Sequence, residues 1–288
     1  MTSTKHAYKL KMAPWALLMV SVAWGFSFVV MKDAIARQSV NNFLFTRFTL
    51  AVIVMVAIKP QVVRYFTKDL VLRAGAAGLF LGIGYILQTL GLARTGAAIT
   101  GFVTGLYIVL TPLIASLFFR ERVSLFTWFC VFIATIGLAL LSIHGWSVGI
   151  GELLVLGSAL AFALHIVALS QWSNGRDTYA MTVVQLAMCA IISGIGSISK
   201  GYSLPPDKGV WGVVIFTAVF ATAIAFIVQT WAQAHMSATK VAVILTMEVV
   251  FAAVFAVLIG GETLNIQSSV GGIMVVIAMY LIVMREEK

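Results

Sequence analysis

Apolar residues fill this chain in ten long runs separated by short polar segments. Runs of about 20 apolar residues can cross a hydrocarbon core of about 30 Å as helices. Spans are predicted over 13–31, 41–58, 71–92, 97–118, 124–142, 150–171, 179–199, 210–234, 238–259 and 266–284. The runs are continuous, unlike the short alternating strands of a membrane barrel. The remaining residues make short loops, so no soluble catalytic or nucleic-acid-binding domain is expected.

The second five runs echo the first five. YILQTLGLARTGAAITG begins at Tyr85 and leads to FFRERV; 141 residues later FIVQTWAQAHMSATKVA leads to IGGETL. Gln88 thereby falls on Gln229, Thr89 on Thr230, Ala93 on Ala234, Ala115 on Ala256 and Glu121 on Glu262. Five is an odd number of crossings, so the copies lie in opposite orientations. The predicted fold is an all-α polytopic membrane protein: about ten transmembrane helices as two inverted five-helix repeats, 1–145 and 146–288. Inverted repeats are the architecture of secondary transporters, whose solute sites lie near the midplane between the halves.

Composition agrees: 61% of residues are hydrophobic and 10% charged, against roughly 25% charged in soluble domains. The net charge of +9 reflects orientation rather than nucleic-acid binding. With both termini cytoplasmic, thirteen basic residues fall on that side (Lys5, Lys9, Lys11, Lys59, Arg64, Lys68, Arg73, Arg120, Arg122, Arg176, Lys240, Arg285, Lys288). Five fall opposite: Lys32, Arg37, Arg94, Lys200 and Lys208. That bias orients inner-membrane proteins. The first run follows lysines as a signal peptide does, yet it is about 19 residues long and lacks a small-residue cleavage site, so a retained span is expected. Cys130 and Cys189 lie inside spans and read as buried apolar thiols.

Polar side chains inside lipid must face protein or a water-filled cavity. In the fourth span Thr100, Thr104, Tyr107 and Thr111 share one helical face, and Pro112 is expected to kink the helix there. Thr222, Phe226, Gln229 and Gln233 form a stripe in the eighth span, and Tyr85 and Gln88 share a face of the third. Gln88 and Gln229 suit either a polar ligand or an interhelical amide bond. The 141-residue offset carries Tyr107 onto Glu248, and a 137-residue offset carries Phe28 onto His165. Trp24 shares a face with Phe28. These residues outline an aromatic midplane pocket with one acid and one imidazole. Glu248, in mid-span, suits a proton or a substrate ammonium; a hydrogen-bonded structural acid is the other reading. His165 reads either as a titrating group or as packing. Arg47 is expected to snorkel toward the interface, with an acid of the protein or a substrate carboxylate as the alternative partner. Glu121 and Glu262 read as helix-end residues. Gly75, Gly78, Gly82, Gly84, Gly101 and Gly105 read as close-approach positions.

The chain resembles the EamA-type, ten-span members of the drug/metabolite transporter superfamily. The resemblance spans nearly the whole sequence and rests on WGFSFVVMK (24–32), the Arg47-containing second span, GLYIVLTPLIASLFFRERV (105–123) and TKVAVILTMEVVFAAVFAVLIGGETL (239–264). It implies export of small metabolites, commonly amino acids, by alternating access. It also implies a central cavity lined by spans 1, 3, 4, 6, 8 and 9, with spans 5 and 10 peripheral. Where members often carry proline after the acid, this chain has Val249, which leaves a kink in the ninth helix open.

Trp24, Phe28, Tyr85, Gln88, Thr104, Tyr107, His165, Gln229 and Glu248 are therefore the expected substrate-binding residues. The expected partners are a small solute, the bilayer and protons as a candidate coupled ion; the carrier is expected to act as a monomer or weak homodimer. No cofactor, metal, catalytic residue or nucleic-acid partner is expected. The sequence has no GxxxxGK[ST], and its histidines, His6, His144, His165 and His235, are scattered rather than set at ligand spacing. A multidrug or nucleobase exporter is the main alternative and a lipid-modifying membrane enzyme the remote one. Clustered basic groups for a phosphate substrate are missing, since only Arg47 and Lys32 are available.

Overall fold

The computed structural model describes residues 2–94, 97–120, 122–142, 149–198, 201–259 and 266–286. Glu121, Glu262 and His144 lie outside them. The first repeat comprises α1 (Thr2–Arg37), α2 (Val40–Ile58), α3 (Lys68–Leu92), α4 (Ala97–Gly105), α5 (Tyr107–Phe119) and α6 (Leu125–Ser142). The second comprises α7 (Ile150–Trp172), α8 (Thr178–Ile198), α9 (Lys208–Ala218), α10 (Ala225–Gln233), α11 (Ala238–Leu245), α12 (Met247–Leu258) and α13 (Ile266–Glu286). Among the described residues seven helices are long and apolar enough to cross a membrane, with shorter apolar helices at Val103–Phe119, Leu125–Leu140 and Ser269–Ile282. These match the ten predicted runs to within a few residues, except that the first, predicted over 13–31, lies within a helix running from Thr2 to Arg37.

Short polar residues start the helices by accepting orphan amide protons. Ser39 accepts from the Asn42 N–H, Thr67 from Leu70, and Asp207 from Gly209 and Val210. The Val210 N–H above all, together with that of Gly209 and the Arg37 guanidinium, holds the exposed Asp207 carboxyl below its usual range.

The helices pack mainly across the repeats: α3 against α7 and α8, α1 against α12, α2 against α8, and α6 against α13. Neither half therefore encloses a core of its own. Bare glycines set two of these crossings. A Cβ at Gly25 would fall 2.6 Å from the Phe251 Cβ, and one at Gly78 would fall 2.6 Å from the Gln185 carbonyl oxygen. The α6–α13 pair sits at the periphery, with Phe129, Phe132 and Ile273 exposed as a lipid-facing surface requires.

Three irregularities interrupt the spans. The fourth breaks at Leu106 rather than at Pro112. There the ladder tightens to i→i−3 bonds, from Leu106 N–H to Val103 O (3.3 Å) and Val109 N–H to Leu106 O (3.0 Å). Gly105 immediately before it is a weak helix former, whereas Pro112 lies within the continuous helix α5. The ninth span breaks at Thr246, one residue short of the repeat mate of Leu106, with no proline present. The Thr246 hydroxyl donates to its own helix at Val243 O (2.6 Å), the side-chain competition with backbone pairing that bends helices. In the eighth span Val219–Ile224 forms a π-helical turn.

Ties at the two ends differ. At one end Arg37 pairs with Asp33 and Asp207. There also the 201–207 segment is strapped to the chain by Gln38 donating to Ser203 O (3.1 Å), Asn42 to Ser203 Oγ (2.9 Å) and a Thr46–Tyr202 hydroxyl pair (2.9 Å). At the other end Asp69 pairs with Arg73 and Arg176, and Lys59 with Asp177 at 3.6 Å.

Candidate functional site

The breaks and the π turn converge on a cavity at the centre of the bundle. Its walls include Trp24, Phe28, Tyr85, Gln88, Tyr107, His165, Gln229 and Glu248. Eight of the nine residues picked from the sequence therefore meet around one space. Thr104, the ninth, stands behind the wall, accepting from Gln88 Nε2 at 3.2 Å.

Each of the eight is placed by a local feature. Tyr107 opens α5 and Glu248 is the second residue of α12, so the repeat-mate tyrosine and acid both emerge just after a helix break. Trp24 and Phe28 follow from the close crossing at Gly25, whose neighbour across the interface is the Glu248 backbone. Tyr85 packs edge-on against Phe48 and Phe162. His165 bonds through Nε2 to Gln185 Oε1 (2.9 Å) and meets Phe226 edge-on. The imidazole thus has a partner as well as a cavity face.

The two glutamine mates differ in what they leave free. Gln88 is bonded to Thr104 within its own repeat. Gln229 donates to Gln233 Oε1 (2.9 Å), and its own Oε1 is buried without a partner. Neither amide ties the repeats together. The Tyr107 hydroxyl, 3% exposed as a residue, is also unpartnered. A buried polar atom without a partner costs about 1–3 kcal/mol, so these two atoms mark where a ligand would be welcomed.

Arg47 departs most from expectation. It does not snorkel; it is 1% exposed and lines the cavity. The π turn explains why it stays. Within it the Ala221 carbonyl accepts from Trp24 Nε1 (2.8 Å) and Arg47 Nη2 (3.2 Å). Arg47 Nε donates to Thr222 Oγ1 at 2.7 Å, and the Tyr85 ring lies 5.1 Å from the guanidinium carbon. Nη1 donates to the Met31 sulfur at 3.4 Å, a weak acceptor. Among the described residues neither Arg47 nor Glu248 forms a salt bridge. The lining of the cavity thus includes a cation, Arg47, and an acid, Glu248.

Ser27, Met31, Phe162 and Phe226 complete much of the wall. Met31 and Phe162 were legible in principle, lying three residues from Phe28 and His165 on the same helical faces. The π turn had no signal: VFATAI contains neither proline nor glycine.

The fold and site together define an α-helical membrane protein of two inverted repeats around a central cavity. The model of the EamA-like transporter family matches residues 11–143 and 149–284, one match per repeat. The chain belongs to that family, within the drug/metabolite transporter superfamily. It is 29% identical over 274 residues to an uncharacterized transporter of Archaeoglobus fulgidus, covering 95% of this chain and 86% of that protein. It is 23% identical to the uncharacterized transporter YxxF of Bacillus subtilis, over 77% of this chain and 73% of the relative. A solved structure described only as a crystal structure of a protein superimposes with a TM-score of 0.79 at 16% identity, covering 93% of this chain and 97% of that one. The last comparison speaks to fold alone.

Proposed function

We propose that this transporter exports zwitterionic amino acids across the cell inner (cytoplasmic) membrane, with both termini in the cytoplasm. The observation that carries the reading is the meeting in one cavity of Arg47 on α2 and Glu248 on α12, neither of them in a salt bridge among the described residues. The guanidinium offers Nη1 to a substrate carboxylate. Glu248, Gln229 Oε1 and the Tyr107 hydroxyl offer three acceptors to a substrate ammonium. Trp24, Phe28, Tyr85 and His165 shape the space between, and the apolar wall admits an aliphatic or aromatic side chain.

Multidrug export is the second reading, favoured by the aromatic lining. Arg47 weighs against lipophilic cations, which it would repel in a low-dielectric site. A phosphate substrate is disfavoured because Arg47 is the one Lys or Arg among the described lining residues.

The cavity measures about 50 Å³, room for a few waters and too small for an amino acid. The halves must part around it. The half-helix junctions at Leu106 and Thr246 and the π turn are the points where bending meets least resistance. Movement of one repeat against the other would open the cavity to alternate sides.

The test is exchange of a labelled amino-acid panel in proteoliposomes, with and without a pH gradient. Saturable exchange of some members supports the reading; none above empty liposomes, with folded protein, defeats it. Protons are the candidate coupled ion, and Glu248 faces Tyr107, Tyr85, Arg47 and His165 around the cavity. Glu248→Gln should flatten any pH dependence, and an unchanged profile would remove Glu248 from coupling.

A further inference from the structure

The imidazole of His165 is held from behind. His165 on α7 lines the cavity, whereas its hydrogen-bond partner, Gln185 on α8, is not part of the cavity wall. Beyond Gln185 the polar contacts run on to α10. Gln185 Nε2 donates to Met181 O at 3.2 Å and to Thr230 Oγ1 at 3.4 Å, and Thr230 Oγ1 lies 3.2 Å from the Thr182 hydroxyl. His165, Gln185, Thr230 and Thr182 are each at most 1% exposed. Three helices thus meet in a chain of buried polar groups behind one ring.

That chain fixes which ring nitrogen carries the hydrogen. A carbonyl oxygen only accepts, so the Gln185 amide nitrogen must face Met181 O; reversing the amide would set two oxygens 3.2 Å apart with no hydrogen between them. Gln185 Oε1 is therefore the atom that meets His165, and it too only accepts. His165 Nε2, at 2.9 Å, must then be the donor. In a neutral imidazole a hydrogen on Nε2 leaves Nδ1 bare, as an acceptor. Nδ1 has no partner among the described residues, and Phe226, which meets the ring edge-on, offers it no polar atom.

We propose that Gln185 is a positioning residue that holds His165 as the Nε2–H tautomer, so that Nδ1 accepts a hydrogen bond from the side chain of the transported solute. The solute half of this rests on the amino-acid reading above. There the three hydrogens of the ammonium are met by Glu248, Gln229 Oε1 and the Tyr107 hydroxyl, so a further acceptor selects for an N–H or O–H elsewhere, in the side chain. A site built around such an acceptor rejects analogues that lack the donor, because they leave a buried polar atom unpaired. The device belongs to the second repeat alone: the offset that carries Phe28 onto His165 places a hydrocarbon ring at the matching position of the first.

The experiment has two independent readouts on the full-length protein. The first needs no solute: nitrogen NMR of histidine-labelled protein in nanodiscs, the His165 signals being those missing from His165→Gln. The wild type should show one neutral tautomer with its hydrogen on Nε2; the Nδ1–H tautomer or an imidazolium overturns the proposal. Gln185→Met, of similar length, replaces the acceptor by a thioether and should give both tautomers. A folded Gln185→Met protein that keeps the Nε2–H tautomer alone overturns the role of Gln185; where that variant does not fold, the wild-type spectrum decides. The second readout is competition against exchange by pairs that differ in one side-chain donor, serine with alanine and tyrosine with phenylalanine. The donor-bearing member of a competing pair should be favoured at least about tenfold. His165→Gln keeps a nitrogen near the Nε2 position for Gln185 and loses Nδ1, so it should abolish the preference and leave the thermal midpoint near that of the wild type. Equal competition within each pair in the wild type, or a preference that survives His165→Gln, overturns the solute contact. Absence of all amino-acid exchange defeats the amino-acid reading and this contact with it, while the tautomer stands or falls on the spectrum.

Discussion

Arg47 Nε donates to Thr222 Oγ1 over 2.7 Å in the middle of the bundle, joining the second span of one repeat to the π turn of the other. A guanidinium in lipid is costly unless its donors are met, and this bond, with that to Ala221 O, meets two of them. Thr222→Val keeps the shape and removes the acceptor. It should destabilise the protein by about 1–3 kcal/mol, read as a lower midpoint of thermal unfolding in detergent. An unchanged midpoint would mean that the hydroxyl does not hold Arg47.

The crossing of α1 and α12 depends on the missing side chain at Gly25. Gly25→Ala places a methyl 2.6 Å from Phe251 Cβ and 2.7 Å from the Ala252 nitrogen. Overpacking of this kind costs about 1–3 kcal/mol. Gly212 meets nothing within 4 Å, so Gly212→Ala should be neutral or stabilising by about 0.5–1 kcal/mol. Thermal unfolding of the two variants side by side separates close packing from helix propensity.

Gln229 and Gln233 lie one turn apart but should fail differently. Gln233 donates to Ile166 O at 2.6 Å and to Ser170 Oγ at 3.2 Å, so Gln233→Leu should lower stability. Gln229 lines the cavity and leaves its oxygen without a partner, so Gln229→Leu should raise the KM for exchange about tenfold, or about 1.4 kcal/mol, while the one bond it loses, to Gln233 Oε1, should cost less stability than Gln233→Leu does. Equal loss of stability in both would place Gln229 in the scaffold.

The strap at 201–207 should loosen in acid. The Asp207 carboxyl lies below its usual range because Val210, Gly209 and Arg37 favour its charged form. Its stabilisation is therefore fully present above about pH 4 and is lost as pH falls through the lowered value. Hydrogen exchange of the first amides of α9 should quicken below about pH 4 in the wild type but not in Asp207→Asn.

Much of this architecture was written in the apolar runs, because a lipid-crossing helix has a fixed length and needs no partner to define it. The repeat offset also brought Tyr107 and Glu248 to matching depths. Three things escaped. Pro112 drew attention as the point of bending, yet the break fell at Leu106, where Gly105 weakens the helix. The ninth span broke without proline because Thr246 bonds its own backbone. Arg47 reads as an interfacial side chain from the sequence because its partners, Ala221 O and Thr222, lie in a π turn 174 and 175 residues away. That turn is a property of tertiary packing rather than of the local sequence.

The central claim is that Arg47 receives a substrate carboxylate. Its most direct test is competition against exchange of a transported amino acid by two analogues, one lacking the carboxylate and one lacking the amine, in wild type and in Arg47→Gln. The wild type should prefer the intact amino acid over the decarboxylated amine by about 10- to 100-fold, as a charge-assisted hydrogen bond of about 1.5–3 kcal/mol requires, and Arg47→Gln should erase that preference. An amine that competes as well as the amino acid in the wild type would contradict the claim and turn the assignment toward export of organic cations.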